Sequence, residues 1–171
     1  MAGNLIQVAT NTVTSAVPSV SILGITTDDI YMVALNNVAP ATDSAYLRMR
    51  FTKASDDSAD SSSNYDRAAK ELRADAGFAN SASENQNGFN FIENGTATSE
   101  THNGIQYLFN FNNSSEYSVC TFEEASLLYD TSLRGRNGGG SLTVAQATNG
   151  VNYFYSSGNI ASGTFTLYKV V

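Results

Sequence analysis

Cysteine, histidine and tryptophan are nearly missing from this chain, which has one cysteine, one histidine and no tryptophan. The single thiol of Cys120 can form neither a disulfide within the chain nor a thiolate metal cluster, and we expect a small buried side chain. His102 has no second histidine to support a metal site, and no nucleophile-elbow sequence accompanies it. Its neighbours in 100–104 predict an exposed turn. The sequence therefore predicts a non-enzymatic protein with no catalytic residue, metal or cofactor.

Charged side chains are scarce and mostly acidic. They make up 15% of the residues, and nine Lys and Arg against sixteen Asp and Glu give a net charge of -7. This balance argues against a surface that neutralises phosphates, so we expect no nucleic-acid partner. A polar but weakly charged surface is typical of strands and loops rather than of exposed helices.

Long apolar runs and internal repeats are also missing. No basic segment followed by an apolar one opens the chain, and no window suits a membrane-spanning helix, so we expect a soluble protein without membrane insertion, made in the cytoplasm. No heptad indicates a fibre shaft. Hydrophobic residues make up 42% of the chain, with nine Phe and nine Tyr. We predict one domain over 1–171, with 1–27 as an N-terminal arm or the first strands.

Alternating polar and apolar residues indicate β-strands. Residues 46–52 place Leu47, Met49 and Phe51 on a core face. Residues 30–35 are apolar on both sides and predict a central strand, followed by a turn over 36–43. The segment 105–111 repeats the alternation of residues 46–52. Its predicted core face consists of Ile105, Tyr107, Phe109 and Phe111, and its other face of Gln106, Leu108 and Asn110.

The end of the chain predicts two further strands, over 151–155 and 160–169, joined by a polar turn as a closing hairpin. In the first of them Phe154 faces away from Tyr153 and Tyr155. Several such segments, separated by turns rich in Gly, Asn and Ser, predict an all-β fold, an antiparallel two-sheet β-sandwich of jelly-roll type.

Three segments are less regular. Residues 64–76 have the alanines and charges of a helix, but their apolar positions form no wide stripe, so helix and strand both stay open. Residues 53–63 form a polar loop without an apolar anchor, which we expect to protrude and move. Residues 135–141 are glycine-rich without the ending of a phosphate-binding loop, and predict a flexible connection between strands.

Acidic residues give two weak signals. Asp56, Asp57 and Asp60 carry the oxygen ligands that calcium prefers, but they lack the spacing, the glycine bend and the distal Glu of a calcium loop, so a solvated loop is favoured. Glu123 and Glu124 point to opposite faces of a strand and cannot act together as a glycosidase pair. We expect one of them to be buried or paired and the other to be exposed.

Five residues are predicted to contact other subunits. Arg134 and Arg136 lie at the glycine-rich segment, from which they can bind an acidic neighbour through bidentate pairs. Tyr46, Arg48 and Arg50 lie on the face of the 46–52 strand that meets water or a neighbour. Tyrosines in general suit interfaces and stacking on sugars.

The closing segment 156–168, SSGNIASGTFTLY, resembles a signature of β-sandwich virion structural proteins of tailed bacteriophages, especially marine and cyanobacterial ones. Residues 36–43 followed by 46–51 resemble the L-x-P-x-T-D and L-x-M-R-F stretches of these proteins, and 63–66 and 134–140 resemble further positions. The similarity extends from the region of residue 30 to the end of the chain. Lys169 departs from it, because a glycine often follows the Leu-Tyr pair.

The resemblance implies that residues 64–76 are extended and that the protein is a virion component assembled in the host cytoplasm. It favours a capsid decoration, or cement, protein that stabilises the head through contacts with other virion proteins, the major capsid protein or tail components, and that forms homo-oligomers, plausibly trimers. The alternative is a tail-fibre or appendage module that recognises host surface carbohydrate.

Overall fold

A computed structural model describes residues 3–171, in which every regular element is a strand and no helix occurs. Met1 and Ala2, which belong to the predicted N-terminal arm, lie outside the described residues. The twelve strands are β1 (Leu5–Val13), β2 (Val20–Leu23), β3 (Tyr31–Pro40), β4 (Ala45–Lys53), β5 (Tyr65–Arg73), β6 (Gly77–Gln86), β7 (Phe89–Asn94), β8 (His102–Phe109), β9 (Tyr117–Leu127), β10 (Leu133–Ala145), β11 (Thr148–Tyr155) and β12 (Ile160–Val170).

The strands form two antiparallel sheets around one apolar core, which confirms the predicted all-β sandwich. The large sheet has eight strands in the order β1-β12-β3-β8-β9-β10-β5-β6. The small sheet has four strands in the order β2-β11-β4-β7.

The connectivity is that of a jelly roll. Four antiparallel pairs, β1 with β12, β2 with β11, β3 with β8 and β4 with β7, join the two halves of the chain into one long ribbon. The ribbon is rolled up, because β12 also pairs with β3 and β11 also pairs with β4. Eight strands arranged in this way are the jelly-roll architecture that the sequence predicts.

Two additional hairpins enlarge one sheet of the jelly roll. The β5–β6 hairpin is inserted between β4 and β7, and the β9–β10 hairpin between β8 and β11. They continue the large sheet because β9 pairs with β8 and β10 pairs with β5. Strand β7, at the edge of the small sheet, packs across β9, β10 and β5. We call β9, β10, β5 and β6 the added strands.

The core is built by the alternation that the sequence shows. Leu47, Met49 and Phe51 of β4 are fully buried, as predicted. The ring of Phe51 lies 4.7 Å from that of Phe111 and 5.3 Å from that of Phe89, between centroids. Tyr65 of β5 joins this group, 5.0 Å from Phe89. Because Tyr65 belongs to an added strand, aromatic packing attaches the β5–β6 hairpin to the jelly-roll core.

The last two strands do not form the predicted hairpin. Strand β11 pairs with β2 and β4 in the small sheet, whereas β12 pairs with β1 and β3 in the large sheet. The polar turn between them therefore crosses from one sheet to the other. The face assignment is correct, because Tyr153 and Tyr155 are buried in the core while Phe154 lies on the other face.

The predicted face of the 105–111 strand is reversed in the structure. Ile105 and Tyr107 are exposed, whereas Gln106 and Leu108 are buried. The register explains this orientation, because Gln106 lies directly opposite Val33 of β3, a core residue, and opposed residues share a face. The Tyr153 hydroxyl donates a hydrogen bond to the Gln106 side-chain oxygen, which compensates for burying an amide. Phe111 is buried after the strand has ended.

The glycine-rich segment is a strand and not the predicted flexible loop. It lies in β10, with neighbours on both sides. A Cβ atom on Gly140 would lie 2.3 Å from Cε1 of Phe89, and one on Gly138 would lie 2.6 Å from Cβ of Ala69. These glycines are needed where β10 packs closely against its neighbours. Residues 64–76 also resolve to a strand, β5.

Two predicted connections also differ in detail. Strand β3 continues to Pro40, because Val38 still pairs with His102, so the turn predicted over 36–43 is shorter. In the 53–63 loop the Lys53 N–H donates to the Ser58 carbonyl, and the Asp60 N–H donates to the Phe51 carbonyl, both at 2.9 Å. These bonds anchor the base of the loop, and its mobility stays a prediction.

The close approach at Gly140 gives a stability test. Gly140→Ala should lower the free energy of unfolding by about 1–3 kcal/mol, because the added methyl group clashes with the Phe89 ring. Gly135→Ala in the same strand is the matched control, since its Cβ would meet its nearest neighbour at 3.4 Å, an ordinary contact. Urea unfolding of the two variants checks this, and equal effects would contradict the packing described here.

Candidate functional site

The predicted contact residues of β4 lie on the outward face of the small sheet. The guanidinium carbons of Arg50 and Arg48 lie 4.5 Å and 5.3 Å from the centroid of the Phe154 ring. Arg48 also donates to the Asn87 side-chain oxygen at 2.6 Å, and Arg50 donates to the Asn87 carbonyl at 2.7 Å. Both arginines are thus held against the sheet by stacking and hydrogen bonds.

Arg134 and Arg136 lie on β10 and point between the sheets. The register places Arg136 directly opposite Glu124 of β9 on one side and Glu71 of β5 on the other. Arg136 Nη2 lies 3.0 Å from Glu71 Oε2, and Arg136 Nη1 lies 3.6 Å from Glu124 Oε1. The opposite charges of Arg136 and Glu71 stabilise each other across the sheet. Both arginines thus have acidic partners within the chain, and their contact with another subunit stays a prediction.

The ion pairs continue toward the edge of the sandwich. Arg73 Nε lies 2.7 Å from Glu71 Oε1, and both outer nitrogens of Arg134 bind the Asp75 carboxylate. Partial burial opposes ionisation of Glu71, but the hydrogen bonds from Arg136 and Arg73 outweigh it, so the pKa of Glu71 is lowered. We call Glu71, Arg73, Asp75, Arg134, Arg136 and Glu124 the charge network.

A small pocket opens onto this network at the edge between the sheets. Its volume is about 180 Å³, and Tyr46, Glu93, Arg134 and Arg136 are among its lining residues. The structure thus brings together three of the five predicted contact residues, Tyr46, Arg134 and Arg136. Arg48 and Arg50 do not line it, although they share the outward face of β4 with Tyr46.

The inner end of the network is the contact between Glu124 and His102. His102 is fully buried, so the prediction of an exposed turn is wrong, because His102 begins β8 on its inward face. Its Nε2 lies 3.3 Å from Glu124 Oε2. Burial lowers the pKa of His102 to about 3 and raises the pKa of Glu124 to about 8. Burial thus disfavours the charged form of both groups in this contact.

The other candidate groups are dispersed. Asp56 accepts hydrogen bonds from Ser58, whereas Asp60 accepts from Ser62 and from Gln146, so the carboxylates of the acidic loop do not converge. Glu123 is exposed and Glu124 buried, as predicted. Cys120 is buried, as predicted, and burial raises its pKa to about 12.

Within residues 3–171 no group of three or more His, Cys, Asp or Glu side chains is arranged to hold a metal ion. The same residues include no helix that is long and apolar enough to cross a membrane. No protein-family model, curated protein or solved structure matches this chain. The fold and the arrangement of its surfaces therefore carry the functional proposal.

Sequence reasoning missed the outer face of the added strands. Leu72 and Phe78 are exposed on β5 and β6, and Ile105 and Tyr107 are exposed beside them on the neighbouring strand β8 instead of lying in the core. A row of small side chains continues in register from Tyr107 across the added strands, Thr121, Gly139, Ala68 and Ala82. No polar–apolar alternation marks this face in β5, because the inward positions of that strand include the charged residues Arg67, Glu71 and Arg73.

The Glu124–His102 contact predicts how stability depends on pH. The pKa of Glu124 is about 8 in the folded protein, whereas an unfolded Glu has a pKa of about 4.3. Between these two pH values the folded protein therefore binds more protons at Glu124 than the unfolded chain does. The free energy of unfolding should therefore fall as the pH rises from 6.5 to 8, by about 1–2 kcal/mol. His102 acts in the opposite direction, but only below an unfolded pKa of about 6.5.

Glu124→Gln should flatten this slope, because glutamine resembles the protonated acid and does not titrate. Glu123→Gln, one residue away and exposed, removes the same charge and should keep the wild-type slope. Urea unfolding at a series of pH values measures both variants. Equal slopes in the wild type and Glu124→Gln would show that Glu124 is ionised in the folded protein.

Proposed function

We propose that this protein is a non-enzymatic virion structural component, a capsid decoration protein that stabilises the head through subunit contacts. The observation that carries the proposal is the jelly roll with an eight-stranded sheet. Jelly rolls are common among viral capsid and lectin domains. The resemblance of the segment 156–168 to phage virion proteins supports the same proposal.

The distribution of side chains is consistent with a protein that works by contact. The arginines of the charge network bind carboxylates of the same chain, and the His102–Glu124 contact is sealed from solvent. The surface available for contacts with other proteins is the broad outer face of the large sheet, which carries exposed apolar side chains. Such a surface suits repeated contacts with capsid subunits and with further copies of this chain, and many weak contacts add up through multivalency.

Particles that lack this protein provide the test. They should assemble but release their DNA at a lower temperature, and purified protein added back should bind in saturable amounts and restore the release temperature. Protein first unfolded in urea is the control for added mass. Particles whose heat stability is unchanged by loss of the protein, and that do not bind it when it is added, would contradict decoration.

A second candidate function is recognition of host surface carbohydrate. One observation favours it, a hollow of about 270 Å³ whose lining includes the exposed Tyr107 together with Thr121, Glu123 and Asn137. An aromatic ring beside hydrogen-bonding side chains suits stacking on a sugar. In this case the purified protein should bind host glycans and block phage adsorption, and Tyr107→Ala should abolish both effects while Tyr117→Ala, at another exposed tyrosine, leaves them unchanged.

A further inference from the structure

One row of the outer face of the added strands carries two opposite charges that have no ion-pair partner within residues 3–171, Lys70 on β5 and Glu123 on β9. Lys70 donates to the side chain of Asn80 at 2.9 Å, and both charged residues are exposed. The register places Asn137 of β10 directly between them, opposite each. Because strands are evenly spaced about 4.8 Å apart, Lys70 and Glu123 lie at equal distances on either side of β10.

This arrangement is complementary to itself. A two-fold axis that lies between two facing sheets and runs parallel to β10 exchanges the positions of β5 and β9. Lys70 of one copy then faces Glu123 of the second copy, and the contact occurs twice. The same axis places Asp66 of one copy over Val119 of the other, since Ser141 of β10 lies opposite both residues. The axis therefore brings opposite charges together without opposing Asp66 to another carboxylate.

The shape of the face fits the same axis. Phe78 is 74% exposed, and it ends a row in register that consists of Asn103, Ala125, Gly135, Leu72 and Phe78. The small residues of this row form the floor of an open groove of about 600 Å³ that is also lined by Ile105. The two-fold axis exchanges β6 with β8, so the Phe78 ring of one copy lies over the Asn103 end of the groove in the other.

The next row on the added strands is low enough for two sheets to approach, and the exposed Tyr107 of β8 lies at its end. The row of Thr121, Gly139, Ala68 and Ala82 has no side chain larger than threonine. Facing sheets pack about 10 Å apart when their side chains are of moderate size. We propose that two copies of this chain associate through the outer face of the added strands, with Lys70 of each copy paired to Glu123 of the other. This contact is separate from virion membership and does not depend on it.

Charge exchange tests the pairing. The wild type should be a dimer by sedimentation at micromolar to submillimolar concentration. Lys70→Glu and Glu123→Lys should each weaken the dimer at least about tenfold, because each creates two like-charge contacts across the interface. Mixing the two single variants should restore dimers, since the glutamate introduced in one copy then faces the lysine introduced in the other, and the unchanged pair is retained. The double variant should also dimerise.

Two controls separate this contact from general effects of charge and folding. Glu116→Lys makes the same charge change at an exposed residue before β9 and should leave the dimer intact. Thermal unfolding should show that all variants fold. Phe78→Ser should weaken the dimer, whereas Tyr129→Ser, at an exposed aromatic residue that follows β9 and lies outside the sheet, should not.

Three results would overturn the proposal. One is a wild-type monomer over the whole concentration range, including a monomer that binds glycan at Tyr107. Another is a trimer or other oligomer that the single charge changes do not weaken. The last is failure of the mixed single variants to associate although each is folded. Loss of capsid binding with an intact dimer would contradict decoration and leave the dimer contact standing.

Discussion

The pairing of β8 with β9 is the constraint on which the rest of the structure depends. It joins the added strands to the jelly roll as one continuous sheet, although the small sheet has only four strands. Strand β7, at the edge of the small sheet, therefore packs against the inner face of three strands, β9, β10 and β5. Where β7 packs, Phe89 and Phe91 are buried, and beyond it the inner face carries the charge network.

The charge network shows how a partly covered sheet face is completed. Arg136 lies between Glu71 and Glu124 with little exposure to solvent. Removing charges from water is costly, and their mutual attraction compensates only when the geometry is good. Glu71 keeps its charge because two arginines donate to it, whereas the deeper Glu124 has a raised pKa. The network thus changes from ionised pairs around Glu71 at the edge to groups in the interior, such as Glu124, whose charged form is disfavoured.

Much of the fold could be predicted because alternation in β4 and β11 follows directly from burial of one face. The 105–111 strand was predicted with the wrong face, since Gln106 faces inward only because Val33 and Tyr153 lie opposite it. The candidate site was less predictable. Glu71 and Glu124 are far apart in the sequence, and only the register of three strands brings both beside Arg136. The outer face could not be predicted from the sequence, because the residues that form it lie on neighbouring strands that are distant in the sequence.

The pairing of β1 with β12 has a consequence for how the chain acquires its structure. Leu5 lies opposite Val170, so the first strand finds its neighbour only after the chain has been synthesised as far as β12. Contacts between such distant segments slow folding, because a long loop must close before they form. Until then β1 and β3 both present unpaired backbone groups where β12 will lie between them. Newly made chains are consequently most prone to aggregation before β12 has taken its place between β1 and β3.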